Sequence, residues 1–345
     1  MIYLAVLVFA MALWALSQNA PRIASGCGFI LAIVLMAFAG LRGDSTDYEQ
    51  YEVIFGLMKD AGDVDWWLRI LIGKDPLFGS LMLLVITAGL SSQWLFVSAA
   101  VLGIGTKWAA FNRAYGAATA PLLATLFGYY FLHDFTQIRA GIALGFCFVS
   151  LVLKCEGGHN RAAFVWGLLA VGFHASAALY LMLMWVVTLQ PRRAWIFSLM
   201  IVALLLLGAR AESALVSSFD DRTDPTLDTT GSSITPLLIA GVRLAILVWI
   251  WYDLRKRSED NARLLQASII LCAVAVPMLI VLRGLSAIMA FRFYELLDAF
   301  SVFLLGASLA RGSTASRLVS LALCVASILV HMHNDLIPAY VFGTF

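Results

Sequence analysis

The chain has 345 residues, of which 62% are hydrophobic and only 13% charged, and its mean hydropathy is +0.90. A soluble domain is nearer about 45–50% apolar and about 25% charged, so a water-soluble globular enzyme and a disordered chain are both excluded. The 23 basic and 21 acidic residues leave a net charge of +2, too little for bulk nucleic-acid binding. The composition is that of an all-α, polytopic integral membrane protein.

A spanning helix needs about 20 apolar residues. In chain order, apolar segments fall at 1–16, 23–41, 76–90, 94–110, 121–132, 140–153, 162–188, 194–209, 234–252, 264–282, 285–310 and 318–331. Several are short, so the expectation is about 10–12 membrane helices including half-helix dips, in one transmembrane domain over residues 1–345. The first segment lacks a basic leader and a second follows at once, so it reads as a retained helix and not a signal peptide. Two polar stretches interrupt the pattern, and both read as outer loops: 42–75 and 210–233. Trp66-Trp67-Leu68 with Ile70 and Leu71 predicts a short interfacial helix within the first. Of the five cysteines, Cys27, Cys147, Cys272 and Cys324 lie in apolar runs and Cys155 does not. With no CxxC spacing they predict buried thiols, not zinc ligands.

Basic residues in short loops set orientation. Arg22, Arg192-Arg193, Arg255-Lys256-Arg257 with Arg263, and Arg311 with Arg317 read as cytoplasmic. Strict alternation of twelve spans would put Arg113 and the Lys154–Arg161 loop outside. Two dips remove the conflict: a partial hairpin at 76–90, and a fold-back within the 27-residue run 162–188 with His174 at its middle. Half-helices are allowed where protein or water satisfies the freed backbone; one long tilted helix is the alternative. With the dips, loop 42–75, His133 to Arg139, His174, loop 210–233 and Arg283 all converge on the outer face. Neither a P-loop nor a Rossmann glycine motif argues for nucleotide chemistry.

Ionisable groups inside a membrane are costly and so mark candidate sites. His133-Asp134-Phe135-Thr136-Gln137-Ile138-Arg139 is one. There His133 and Gln137 are spaced to share a helical face, and Gly141 and Gly145 form a small-xxx-small stripe that admits a close neighbour. A polar turn with a snorkelling arginine is the plain alternative. His174, between Gly172 and Ser176, is the second; a core imidazole bonded to backbone is its alternative. Arg292-Phe293-Tyr294-Glu295 with Asp298 is the third, where Arg292 and Glu295 could pair on one helix face or Arg292 could take a ligand phosphate. In the outer loop, Arg42, Asp44, Asp47, Tyr48 and Tyr51 suit a carbohydrate, with carboxylates accepting hydroxyl protons and rings packing on sugar faces. Two carboxylates are too few to hold a divalent cation. His331 and His333, two residues apart, fall on different helical faces, so no metal site is expected.

These pieces, in this order, resemble the EpsG family of bacterial membrane proteins, grouped with the Wzy-type polysaccharide polymerases. The matching residues are Asp47-Tyr48-x-x-Tyr51-x-x-x-Phe55, Gln137-Ile138-Arg139-x-Gly141-Ile142-Ala143, Phe173-His174-Ala175-Ser176-Ala177 and Arg292-Phe293-Tyr294. Ala140 stands where the family more often has glutamine. The resemblance implies a GT-C-like, Wzy-like membrane fold in the bacterial inner membrane with its active site facing the periplasm. It also implies glycosyl transfer between undecaprenyl-diphosphate-linked saccharides, with membrane lipid around it, no cofactor, and a chain-length regulator and a flippase as partners.

The residues suit that chemistry, because a lipid-diphosphate donor needs no ATP but does need cations at its leaving group. Arginine's planar fork fits phosphate, which assigns Arg139, Arg283 and Arg292, with Arg243 as a further candidate, to the diphosphate. His174 is the first choice of general base, with Asp44 or Asp47 second. Arg42, Tyr48, Tyr51, Gln137, Tyr294 and Glu295 complete the expected substrate contacts. The rival readings are a flippase of lipid-linked oligosaccharide, a membrane acyltransferase and a non-catalytic assembly subunit.

Overall fold

A computed structural model describes residues 2–45, 47–62, 64–189, 235–257, 261–283 and 287–333, with Arg193 and Ile196. Every regular element among them is a helix. Eight helices among the described residues are long and apolar enough to cross a membrane, so this is a multi-pass membrane protein. Ile196 apart, the expected segment 194–209 and the outer loop 210–233 lie outside the described residues. The chain divides into two compact units, residues 1–181 with 305–345, and residues 182–304.

The first unit opens with α1 (Ile2–Asn19) and α2 (Ala24–Gly40). The stretch 42–75 is more than a loop, since it carries α3 (Tyr48–Asp60) and α4 (Trp66–Ile72). Tyr48, Tyr51, Phe55 and Met58 recur at helical spacing and are the buried face of α3. Trp66, Trp67 and Leu71 of α4 are exposed, while Arg69 donates to the Met58 carbonyl at 2.9 and 3.2 Å and ties α4 to α3. After a 113° bend, α5 (Pro76–Thr87) follows α4. Gly73 and Gly79 make the bend possible: a Cβ on Gly73 would come within 2.4 Å of the Gly79 Cα.

Helix α6 (Ser92–Tyr115) is long and apolar enough to cross a membrane, and α7 (Thr119–Thr125) leads into an 11-residue π-helix, Leu126–Thr136, all of it buried. π-Helical turns are rare in proteins. Gln137 ends this helix, so His133 and Gln137 do not sit on one continuous helical face as their spacing suggested. The next helix, α8 (Ile138–Glu156), is the centre of the unit, with 78% of its apolar window buried. It packs on α6 along Gly141 and Gly145. A Cβ on Gly145 would fall 2.0 Å from Thr106 Oγ1 and 2.7 Å from the Gly103 carbonyl oxygen, the close approach that small residues allow.

The run 162–188 breaks at its histidine: α9 (Asn160–Phe173) ends at His174 and α10 (Ala177–Val187) begins three residues later. The chain then folds back. A Cβ on Gly167 of α9 would meet Leu181 Cδ1 of α10 at 2.5 Å, whereas 14 residues along one helix would separate them by about 21 Å. Ser150 of α8 donates to the Ala163 carbonyl at 2.7 Å, and Tyr180 of α10 to the Cys147 carbonyl at 2.9 Å. Both arms of the fold-back therefore rest on α8. Four of the five cysteines are buried and all are free.

In the second unit, α11 (Thr235–Arg257) and α12 (Ala262–Arg283) form a hairpin, and α12 packs on α13 (Ala287–Asp298). The chain continues through α14 (Ser301–Arg311), which passes back into the first unit, to α15 (Thr314–His333). The outer helices are largely bare: 22% of the apolar window is buried in α1 and in α11, and 28% in α15. Leu4, Val8 and Phe9, Leu238, Ile239 and Val242, and Leu318, Val325 and Leu329 are exposed apolar residues on these helices, as suits helices that face lipid.

Candidate functional site

The strongest polar cluster in the first unit is built around Asp75, which sequence reasoning passed over as the last residue of a loop. Asp75 precedes Pro76 at the start of α5, the position of a helix cap, yet its side chain makes no cap hydrogen bond. Its Oδ2 accepts from Arg139 Nη1 at 2.6 Å, and its Oδ1 accepts from the Ala175 backbone N–H at 3.1 Å. His174 Nδ1 lies 3.7 Å from the same Oδ2, beyond a formed hydrogen bond. The carboxylate is 7% exposed, while Arg139 and His174 are 22% and 21% exposed. The acid is thus enclosed, and the cation and imidazole keep open edges.

Each participant arrives from a different element. Arg139 is in the first turn of α8. His174 adopts extended backbone (φ −157°, ψ 115°) where α9 ends, and Gly172 lets α5 approach there, since a Cβ would meet Leu77 Cδ1 at 2.6 Å. Tyr51 of α3 lies within electrostatic reach of Arg139. Burial raises the Tyr51 phenol above its ordinary value against the pull of Arg139, so it remains a neutral group.

Of the residues singled out in the sequence, the structure therefore gathers Arg139, His174 and Tyr51. Gln137 is half-buried just before α8, and Asp47 is half-buried at the start of α3, within electrostatic reach of Tyr51. Asp44 is exposed. Tyr48 stacks on Phe96 at 4.5 Å and donates to Gln93 Oε1 at 3.5 Å; burial, then the nearby Glu52 carboxylate, pushes its phenol up to about 12. Arg42 has no exposed surface. It donates to the Ala39 carbonyl and to Ser45, and lies 4.9 and 5.0 Å from the Phe96 and Phe135 ring centres.

His133 and Asp134 have other partners. Asp134 is ion-paired with Lys107 of α6, with the two side chains 2% and 1% exposed. Lys107 is hidden in the sequence as one charge inside an apolar run. His133 stacks on Tyr129 at 5.9 Å, and His331 Nε2 is 2.8 Å from the Gly128 carbonyl oxygen. Among the described residues no three His, Cys, Asp or Glu side chains form a group able to hold a metal ion.

The second unit carries the remaining candidates. Asp298 accepts from Arg243 Nε at 2.7 Å, and Arg243 Nη2 also donates to Ser301 Oγ at 3.1 Å. Arg243 is thereby engaged by a carboxylate. No Arg292–Glu295 ion pair forms among the described residues; Arg292 is exposed, and Tyr294, Glu295 and Arg283 are half-buried.

The family model for EpsG matches residues 27–340. The chain belongs to the EpsG family. Members of this family are Wzy-type polymerase-like, which makes this a polysaccharide polymerase-like membrane protein. Comparison with curated proteins and with solved structures returns no match. The match spans α3, the Asp75 cluster and the Arg292-Phe293-Tyr294 stretch. The Asp47-Tyr48-x-x-Tyr51-x-x-x-Phe55 pattern is here the start and buried face of α3, and Phe173-His174-Ala175 is the fold-back turn held by Asp75.

Proposed function

We propose that this EpsG-family protein is a polymerase joining undecaprenyl-diphosphate-linked oligosaccharide repeat units on the periplasmic face of the bacterial inner membrane. The observation that carries the reading is the Asp75 carboxylate holding Arg139 at 2.6 Å with His174 Nδ1 at 3.7 Å. One enclosed acid thereby sets a phosphate-binding cation beside a proton acceptor.

In this reaction the acceptor hydroxyl oxygen bonds to the anomeric carbon of the donor as the bond from that carbon to the diphosphate oxygen breaks. The bonding pair leaves with undecaprenyl diphosphate, and the hydroxyl proton passes to His174. Arg139 stabilises the charge growing on the leaving oxygen, where a preformed donor acts most strongly. Asp75 is a positioning residue. Facing Nδ1, it favours the tautomer that leaves Nε2 open as the acceptor, and apo distances of this kind shorten on substrate binding.

Within the first unit, Asp44, Asp47 and Gln137 are the saccharide contacts in this reading. The buried surroundings of Arg42 and Tyr48 favour supporting the site over touching substrate.

The test uses purified protein in lipid with a lipid-diphosphate-linked repeat unit and no nucleotide. A ladder of longer glycolipids with released undecaprenyl diphosphate supports a polymerase. Movement of the lipid between leaflets without a ladder would identify a flippase instead.

A further inference from the structure

Within the second unit, the α11–α12 hairpin bears a partly open cavity of about 120 Å³ lined by Trp251, Arg255, Ala262, Leu265 and Gln266. It sits where two apolar spans end and Arg255-Lys256-Arg257 begins, the depth at which tryptophan and tyrosine meet lipid headgroups. The walls are chemically divided: Trp251 and Leu265 are apolar, and Arg255 and Gln266 offer N–H donors.

The three consecutive cations differ in what engages them. Arg257 Nε is 3.1 Å from Asp253 Oδ1, and Lys256 Nζ lies 4.2 Å from the Tyr252 ring centre. Arg255 lies 5.5 Å from the Trp251 ring centre and makes no ion pair among the described residues. The ring contact is a cation–π one and uses none of the guanidinium N–H donors.

We infer that this cavity binds the phosphodiester headgroup of an anionic phospholipid. Arg255 and Gln266 take the phosphate oxygens, and Trp251 and Leu265 cover the glycerol and first acyl carbons. Anionic lipid is the partner that a basic cluster at the end of a membrane span recruits, and a planar guanidinium suits a phosphate better than an ammonium does. The site shares no residue with the Asp75 cluster, so it stands apart from the polymerase reading.

The experiment counts phosphatidylglycerol retained by native mass spectrometry on full-length protein in neutral detergent. Thermal unfolding is followed in parallel with phosphatidylglycerol, phosphatidylcholine or inorganic phosphate added. Phosphatidylglycerol is expected to be retained and to raise the melting temperature, while phosphatidylcholine and free phosphate do neither. Arg255→Gln should weaken retention by about ten-fold or more, as loss of a charge-assisted hydrogen bond does. Gln266→Ala should weaken it in the same direction, and Lys256→Gln, which removes an equal charge outside the cavity, should weaken it much less than Arg255→Gln. Equal losses in Arg255→Gln and Lys256→Gln would reduce the effect to diffuse surface attraction and overturn the site. So would equal stabilisation by free phosphate, or no preference for phosphatidylglycerol over phosphatidylcholine.

Discussion

Asp75 and Arg139, 64 positions apart in the chain, meet through a 2.6 Å contact between Oδ2 and Nη1. With the other carboxylate oxygen on the Ala175 N–H at 3.1 Å, Asp75 links the starts of α5 and α8 to the turn between α9 and α10. An enclosed carboxylate persists only because its partners replace the water it has lost. The cluster is consequently both a structural knot and a candidate reaction centre, and substitutions there need readouts that separate the two roles.

Asp75→Asn preserves size and removes the charge. Polymer formation should fall by on the order of 10², with the pH–rate profile altered and the protein still in the membrane. Kinetics across pH, compared with His174→Gln, make the check. A loss confined to protein yield, with an unchanged profile, would leave Asp75 only a structural role.

Arg139→Lys keeps a positive charge near Asp75 but gives up the planar fork. The expected outcome is a higher KM for the lipid-diphosphate donor and a lower kcat, because a point charge matches a diphosphate less well. Steady-state kinetics with varied donor are the measurement, and unchanged constants would remove Arg139 from the phosphate site.

The Lys107–Asp134 pair should behave as a buried ion pair with no part in donor binding. Lys107→Met alone leaves an uncompensated carboxylate and should cost about 3–5 kcal/mol, whereas Lys107→Met with Asp134→Leu should recover most of that. Thermal unfolding in detergent reads both. Equal damage by the single and double changes would mean that the pair does more than neutralise itself.

Gly145→Ala should be destabilising by about 1–3 kcal/mol through overpacking, since its Cβ would sit 2.0 Å from Thr106 Oγ1. Gly26→Ala is the matched control, with nothing within 4 Å of the added carbon, and should be neutral or slightly stabilising. Melting temperatures of the two variants decide it.

Composition and run length were enough to read an all-helical membrane protein, and Gly172-Phe173-His174-Ala175-Ser176 was enough to suspect a break at His174. Those features depend on local hydrophobicity and on small residues, which a chain displays in order. The helix at Tyr48–Asp60 is equally legible in the spacing of Tyr48, Tyr51, Phe55 and Met58, although the polar residues between them give the stretch the composition of a loop. What tertiary structure alone decided is which charges face which. Asp75 looks like a cap before Pro76, and Lys107 like a stray charge in an apolar span, until the packing of α5, α6 and α8 supplies Arg139 and Asp134. Arg42 shows the converse, since nothing in Arg42-Gly43-Asp44 reveals that its guanidinium is enclosed between Phe96 and Phe135. A buried charge is determined by its partners across the fold, and those partners are set by helix packing over separations that no local pattern encodes.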